Sequence, residues 1–481
     1  MSDTITPSTG VYLASFGALL GALSMGLALG YTAPAFFDMD KNRANSPLDT
    51  DPTKRDSEKS LIGSMLAIGA LVGGFLGEPC NKMFGRRISL IIYGFPFVVG
   101  WILMATAKGV AMLVAGRLLT GLCCGLASGT APTYVVEIAP PSIRGLLGTC
   151  FQVMVVIGIL LEAVFGTFMS WQVLAGWSLI PAIGMSVIMF FMPETPQWLL
   201  GKGRTREAEA SLQWLRSSPM AQELVIMTRA AQQAQQTGGG GQYSLEMITS
   251  REFYKPLFMA LGLMFFQQFS GINAVLFYQT DIFAKASPSS NAATSTIYVC
   301  LAQVVMTLAG SFLVDRLGRR VLLVVSGAGH AVSLVAFGFY SYKSVGSQDF
   351  QTQFAWLALT SLIVFISSFS LGFGPVPWMM IPEFSNPRVR SLVASIATAF
   401  NWTCVYIVTA SVKPLMNILG DATTYWMFAV ICVISCVFVV LVLPETKGKS
   451  SEQIQTELFG AGEPSQQSYS RTQDEPMKTL A

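Results

Sequence analysis

The chain has 481 residues, 52% of them hydrophobic and 12% charged, where a soluble domain carries about 25% charge. This composition excludes a soluble core and points to a lipid bilayer. The net charge of +3 gives no sign of a nucleic-acid partner.

Apolar runs lie near 11–33, 60–80, 88–107, 111–133, 148–168, 174–193, 255–276, 294–314, 321–341, 355–380, 390–412 and 422–443. Each is close to the roughly 20 residues that cross a bilayer, so the chain is expected to be an all-α membrane protein of twelve transmembrane helices. The first run is long enough to stay as a span, and no basic n-region marks it for cleavage. The segment 35–59, balanced in charge, is expected as the one long outside segment.

Basic residues recur after even-numbered spans: Lys82, Arg86 and Arg87, then Arg144, then Arg316, Arg319 and Arg320, then Arg388 and Arg390. These loops share one side, and the positive-inside bias puts that side, with both termini, in the cytosol. All eight cysteines lie in or at the ends of apolar runs and read as free, buried thiols. His330, the single histidine, reads as a packed or paired residue of the ninth span. Glu162, in the fifth span, is the one acid in clearly apolar territory, with a solvated or paired role favoured over proton coupling.

Three patterns occur twice in the same order: Gly85-Arg86-Arg87 and Gly318-Arg319-Arg320, Glu137 with Arg144 and Glu383 with Arg390, Pro193-Glu194-Thr195 and Pro444-Glu445-Thr446. They divide the chain into two pseudo-symmetric six-helix halves, 1–193 and 255–443, a transporter architecture of parallel repeats. Between them, 194–254 is expected to be a cytosolic linker with short helices and a hinge at Gly238–Gly241, and 444–481 a cytosolic tail, disordered beyond about Gly460.

The seventh span carries Gln267, Gln268 and Asn273 in an otherwise oily run. An unpaired amide in hydrocarbon costs roughly 2–7 kcal/mol, so the three need either neighbouring helices or a polar ligand. On a straight helix they point in three directions at about 100° per residue, so convergence on one ligand requires a break, for which Ser270-Gly271 is the place.

Pro193–Pro196, Gln267–Asn273, Asp315–Arg320, Gly374-Pro375-Val376-Pro377-Trp378 and Pro444–Gly448 together resemble the signature set of the sugar porter family of the major facilitator superfamily. Gly30-Tyr31 with Ala33-Pro34, and Gly116–Gly121, resemble class III facilitative glucose transporters and invertebrate trehalose transporters. The resemblance implies the major facilitator fold and facilitative transport of a neutral sugar, a hexose such as glucose. Trehalose or polyol transport, proton-coupled symport and a non-transporting sugar sensor are the alternatives. It implies Gln152, Gln303, Trp378, Asn401 and Trp402 as further sugar contacts beside Gln267, Gln268 and Asn273. For Gln152 and Gln303, interhelical hydrogen bonding stands on an equal footing. Phe277 and Tyr278 are expected as a lid on the outside, or else as interfacial aromatics.

Arg86, Arg87, Glu137, Arg144 and Glu194, with Asp315, Arg319, Arg320, Glu383, Arg390 and Glu445, are expected as a cytosolic gate that holds the halves together in the outward-open state. Thr32 in the first span leaves no carboxylate there for proton coupling. No nucleophile with a usable histidine, metal-ligand cluster or phosphate-binding loop is present, so no enzyme activity and no cofactor or metal is expected. The expected partners are a small-molecule sugar and the lipid bilayer, with a monomer as the functional unit. The plasma membrane and endosomal or lysosomal membranes all remain open.

Overall fold

A computed structural model describes residues 8–140, 142–216, 223–225, 227–229, 249–286, 292–386, 389–449 and 451–459. Among these residues twelve helices are long and apolar enough to cross a membrane. We number them α1 (Thr9–Lys41), α2 (Pro52–Phe84), α3 (Arg86–Ala105), α4 (Val110–Ile138), α5 (Arg144–Phe165), α6 (Trp171–Phe191), α7 (Arg251–Thr280), α8 (Ala292–Leu317), α9 (Arg319–Ser344), α10 (Ala355–Phe384), α11 (Leu392–Leu419) and α12 (Asp421–Val442). The proposed hinge at Gly238–Gly241 and the tail beyond Gly460 lie outside the described residues.

Several spans are interrupted where proline or glycine forbids a regular turn. Pro34 cannot donate to the Gly30 carbonyl, and α1 breaks at Tyr31. Pro181 acts likewise in α6, which breaks at Ser178. The last span of this kind, α10, breaks over Gly372–Pro375 into Ala355–Leu371 and Val376–Phe384.

The segment 35–59, expected to lie outside, is largely helical, and the connection between α1 and α2 narrows to 42–51. α1 runs on to Lys41, and α2 begins at Pro52, where Asp51 caps the helix by accepting from the Thr53 N–H at 2.9 Å and Pro52 fills the first helical position. Apolar periodicity locates the part of a helix that meets lipid; its charged extension into water is set by the caps.

Helices cross closely where glycines face each other. A Cβ on Gly73 would lie 2.0 Å from the Leu122 carbonyl oxygen, and one on Gly125 2.1 Å from that of Ala70, so α2 and α4 touch backbone to backbone. α1 and α5 do the same at Gly26, where a Cβ would meet the Val155 carbonyl at 2.0 Å.

The packed core is asymmetric along the membrane normal. At the face away from the described chain ends, one apolar cluster draws on both halves, from Tyr31, Phe36 and Trp101 to Phe277, Tyr278 and Trp402. Toward the other face the core divides, with one cluster from Val11 to Leu215 and another from Phe253 to Leu458. Across the halves, α2 packs on α11 and α5 on α8.

Two short helices of the linker, Pro196–Gly201 and Thr205–Leu215, dock under the first half: the Ser8 hydroxyl donates to the Trp214 carbonyl at 2.9 Å, and Arg216 Nη1 to the Ile138 carbonyl at 2.8 Å. A helix at Ser451–Phe459 docks under the second half, where Ile454 and Leu458 are buried and Lys255 Nζ donates to the Leu458 carbonyl at 2.8 Å.

Candidate functional site

α7 is broken where the amides required it. Its first part ends at Phe269, Gly271 takes φ +87°, and a second helical segment starts at Ile272. That left-handed conformation costs any residue with a Cβ about 1–2 kcal/mol, which explains a glycine here. The Ser270 hydroxyl donates to the Gln267 carbonyl at 2.7 Å and covers part of the opened backbone.

The break lets the amides converge. Gln267 Nε2 donates to the carbonyls of Phe373 at 2.6 Å and Gly374 at 3.1 Å, the opened backbone of α10. Its Oε1 accepts from Asn401 Nδ2 of α11 at 2.8 Å and from Gln268 Nε2 at 3.3 Å, and Asn273 Nδ2 donates to Gln268 Oε1. Four amides thus form one buried chain, Asn401 to Gln267 to Gln268 to Asn273, from α11 through both parts of α7, anchored on the opened backbone of α10. Gln303 and Trp402 are also buried, and Gln303 Oε1 and Trp402 Nε1 have no hydrogen-bond partner among the described residues. Gln152 is half-buried, and Trp378 is 41% exposed; no hydrogen bond links either to the amide chain.

Phe277 and Tyr278 are buried at the face where both halves share one core. Tyr278 stacks with Phe36 at 6.2 Å between ring centres, and the Arg117 guanidinium lies 5.9 Å from the Phe277 ring. Two further contacts join the halves here: the Ser60 hydroxyl donates to the Ala410 carbonyl at 3.0 Å, and Lys413 Nζ lies 3.8 Å from Asp56. This face is therefore shut.

Sequence patterns passed over Arg117 as a site residue. It is fully buried in α4, donates through Nη1 to the Ala28 carbonyl at 2.5 Å and through Nε to the Ile62 carbonyl at 3.4 Å, and leaves Nη2 without a partner among the described residues. The available signal was a single guanidinium inside the run 111–133, as conspicuous in lipid as the amides. Glu162 is also fully buried rather than solvated; its Oε1 accepts from the Ser178 hydroxyl at 2.5 Å. His330 is packed against Phe365, Phe369 and Phe373. Five cysteines are buried and Cys80, Cys150 and Cys436 half-buried, all free.

The charged clusters repeat almost atom for atom. Gly85 and Gly318, at φ +88° and +94°, each open a helix whose first two amides donate to a carboxylate: Arg86 and Arg87 to Glu194 at 3.1 and 3.0 Å, Arg319 and Arg320 to Glu445 at 3.1 and 3.0 Å. Arg86 pairs with Glu137 at 2.8 Å and Arg319 with Glu383 at 3.1 Å, with Asp315 a second partner of Arg319 at 3.2 Å. Arg144 donates to the Ala139 carbonyl at 3.3 Å and Arg390 to that of Ser385 at 3.4 Å. Each of these pairs lies within one half. The two capping carboxylates differ electrostatically: burial pushes Glu194 above the usual carboxylate range, whereas at the more open Glu445 burial is outweighed by the backbone N–H donors, which hold it below.

The family profile described as "Sugar (and other) transporter" matches residues 12–458. The chain is 37% identical over 450 residues to a protein of Aedes aegypti named facilitated trehalose transporter Tret1, covering 93% of this chain and 55% of that one. Proteins of the same name from Apis mellifera ligustica and Bombyx mori are 37% and 36% identical, with 93% of this chain covered in each case and 88% and 86% of theirs. The chain thus spans about half the length of several relatives and most of others. A solved structure of the xylose transporter XylE from E. coli, partially occluded and inward open, superposes with a TM-score of 0.75 at 24% identity, covering 92% of this chain and 100% of that one. At that identity the likeness is one of fold.

Proposed function

Because the chain belongs to the sugar (and other) transporter family, we propose that it carries a neutral sugar down its gradient by alternating access, its two six-helix halves rocking around a site beside the break in α7. The observation that carries this proposal is the buried amide chain from Asn401 to Asn273. Each amide presents an acceptor and two donors without a charge, and a sugar hydroxyl is both donor and acceptor. A sugar can take over bonds that the amides make with one another, and Gln303 Oε1 and Trp402 Nε1 offer it one more acceptor and one more donor. Gln152 and Trp378 are proposed to contribute from the opposite half and from the second part of α10.

With the termini taken as cytosolic, Phe277 and Tyr278 form the outer lid, closed here, and the divided core marks the side toward which the sugar leaves. The charged clusters then serve as the cytosolic gate. In the closed-lid state they clasp each half separately; in the outward-open state the same arginines and glutamates meet across the halves. A hexose such as glucose is the first substrate expected, and the names of the relatives favour trehalose as a second. Downhill transport is supported by Thr32, which leaves no carboxylate at that position of α1. Uptake into proteoliposomes of glucose, trehalose and a polyol, with and without an imposed pH gradient, tests this. Equilibration without accumulation is expected, and proton-driven accumulation would overturn the uniport mechanism.

A further inference from the structure

A cleft of about 250 Å³ opens at the shut face, away from the amide chain and lined entirely by the second half. Its walls are the second part of α7, the end of α9, the short helix Gln348–Gln353, the end of α11 and the start of α12. The buried rings of Tyr278, Tyr340 and Tyr425 border it with their edges, their faces being packed against Phe36, Phe337 and Lys413. Polar groups come from Ser341, Gln351, Lys413 and Asp421. Phe337 fixes the aromatic wall by meeting Tyr425 edge to face at 4.7 Å. None of the eight proposed sugar contacts lines it.

The chemistry selects a neutral polyhydroxylated ligand. Ring edges suit the C–H side of a sugar ring, while the Ser341 hydroxyl and the Oε1 of Gln351, whose Nε2 donates to the Ser344 carbonyl at 3.0 Å, suit its hydroxyls. Among the described lining residues Lys413 is the cation and Asp421 the anion, and Lys413 is also held by Asp56 at 3.8 Å, so an anionic solute is not favoured. Two of the lining residues also hold the lid: Tyr278 stacks on Phe36, and Lys413 lies 5.0 Å from the Tyr278 ring and 3.8 Å from Asp56 of the first half.

We propose that this cleft is a second, external sugar site, separate from the site beside the α7 break, and that its occupant braces Tyr278 and Lys413 in the lid-closed arrangement. The proposal rests on sugar being the transported solute. Sugar at high concentration on this face then slows its own entry, because the closed lid must part before the deeper site can be reached.

The test uses Ser341→Cys in the full chain, reconstituted in proteoliposomes, with a membrane-impermeant maleimide added at this face and the parent chain as the control for native thiols. Glucose and trehalose are tried separately. At least one is expected to slow labelling of the new thiol threefold or more, equally in a Gln267→Ala background. Gln351→Cys provides a second reporter on the rim should the first variant fold poorly. Absence of protection by both sugars overturns the proposal, as does a thiol that stays unreactive without sugar. Protection that vanishes with Gln267→Ala overturns it too, since it then belongs to the deeper site. Protection that persists while Gln267→Ala leaves uptake intact supports the cleft and counts against the deeper site. Ser341→Trp, which fills the cleft, is expected to abolish the fall in uptake at high sugar while leaving the concentration for half-maximal uptake within about twofold.

Discussion

At the level of single residues, Gln267 is the point on which the amide chain turns, since it meets two carbonyls of α10, Asn401 and Gln268. Gln267→Ala orphans several of these groups at once, and each buried orphan costs about 1–3 kcal/mol. Sugar affinity in equilibrium binding should fall at least about tenfold, or ~1.4 kcal/mol, with an additional loss of thermal stability. A second prediction separates Glu194 from Glu445, which make the same bonds to paired backbone amides. Glu194 is raised by burial and so takes up its proton at the higher pH; Glu445, held low, remains ionised further into acid. Any stabilisation from ionised Glu445 is complete above its unfolded-state pKa and is lost as pH falls through its lower folded-state value. Amide hydrogen exchange should therefore show protection at Arg86 and Arg87 weakening at a higher pH than at Arg319 and Arg320. Simultaneous loss at both would contradict the difference in burial.

At the level of helices, the breaks decide the site. Gly271→Ala places a Cβ at φ +87° and 3.1 Å from the Phe428 ring, so the two parts of α7 must realign. Sugar uptake should drop several-fold more than stability does, as measured by initial rates beside thermal unfolding. Gly125→Val is a different case: its side chain meets the Ala70 carbonyl where α2 and α4 touch, and loss of the folded monodisperse protein is the expected outcome. The break in α7 was legible in sequence because three amides on a straight helix face three ways, an argument that needs only the helical repeat. Pairing of Gln267 with the carbonyls of Phe373 and Gly374 was not, since nothing local in either stretch says that two opened backbones lie side by side. The helical extensions around 35–59 were missed because charge was taken to end a span, when it ends only the lipid-facing part of the helix.

At the level of the whole molecule, one face is joined and the other divided. Gly63 lies where a Cβ would sit 3.4 Å from the Tyr278 hydroxyl and 3.7 Å from the Phe277 ring, so Gly63→Leu should wedge the lid apart. An impermeant thiol reagent ought then to reach a cysteine placed at Ala274 several times faster, and an unchanged rate would argue that the lid does not pack against α2. Conversely, Glu383→Gln removes one of the two carboxylate partners of Arg319 and, through the cross-half contacts proposed for the outward-open state, is expected to raise the inward-open population, read as reduced access for an impermeant inhibitor applied outside. The matched clasps carry a consequence for assembly. Each half closes its own set of charges and has its own docked helices at the divided face, so the peptide link between Arg216 and Thr249 is not what registers one half against the other. Two fragments severed there and synthesised in the same cell should find each other in the bilayer and restore uptake, their meeting surfaces being α2 with α11 and α5 with α8. The connection would then matter for stoichiometry, by delivering one copy of each bundle to the same patch of membrane.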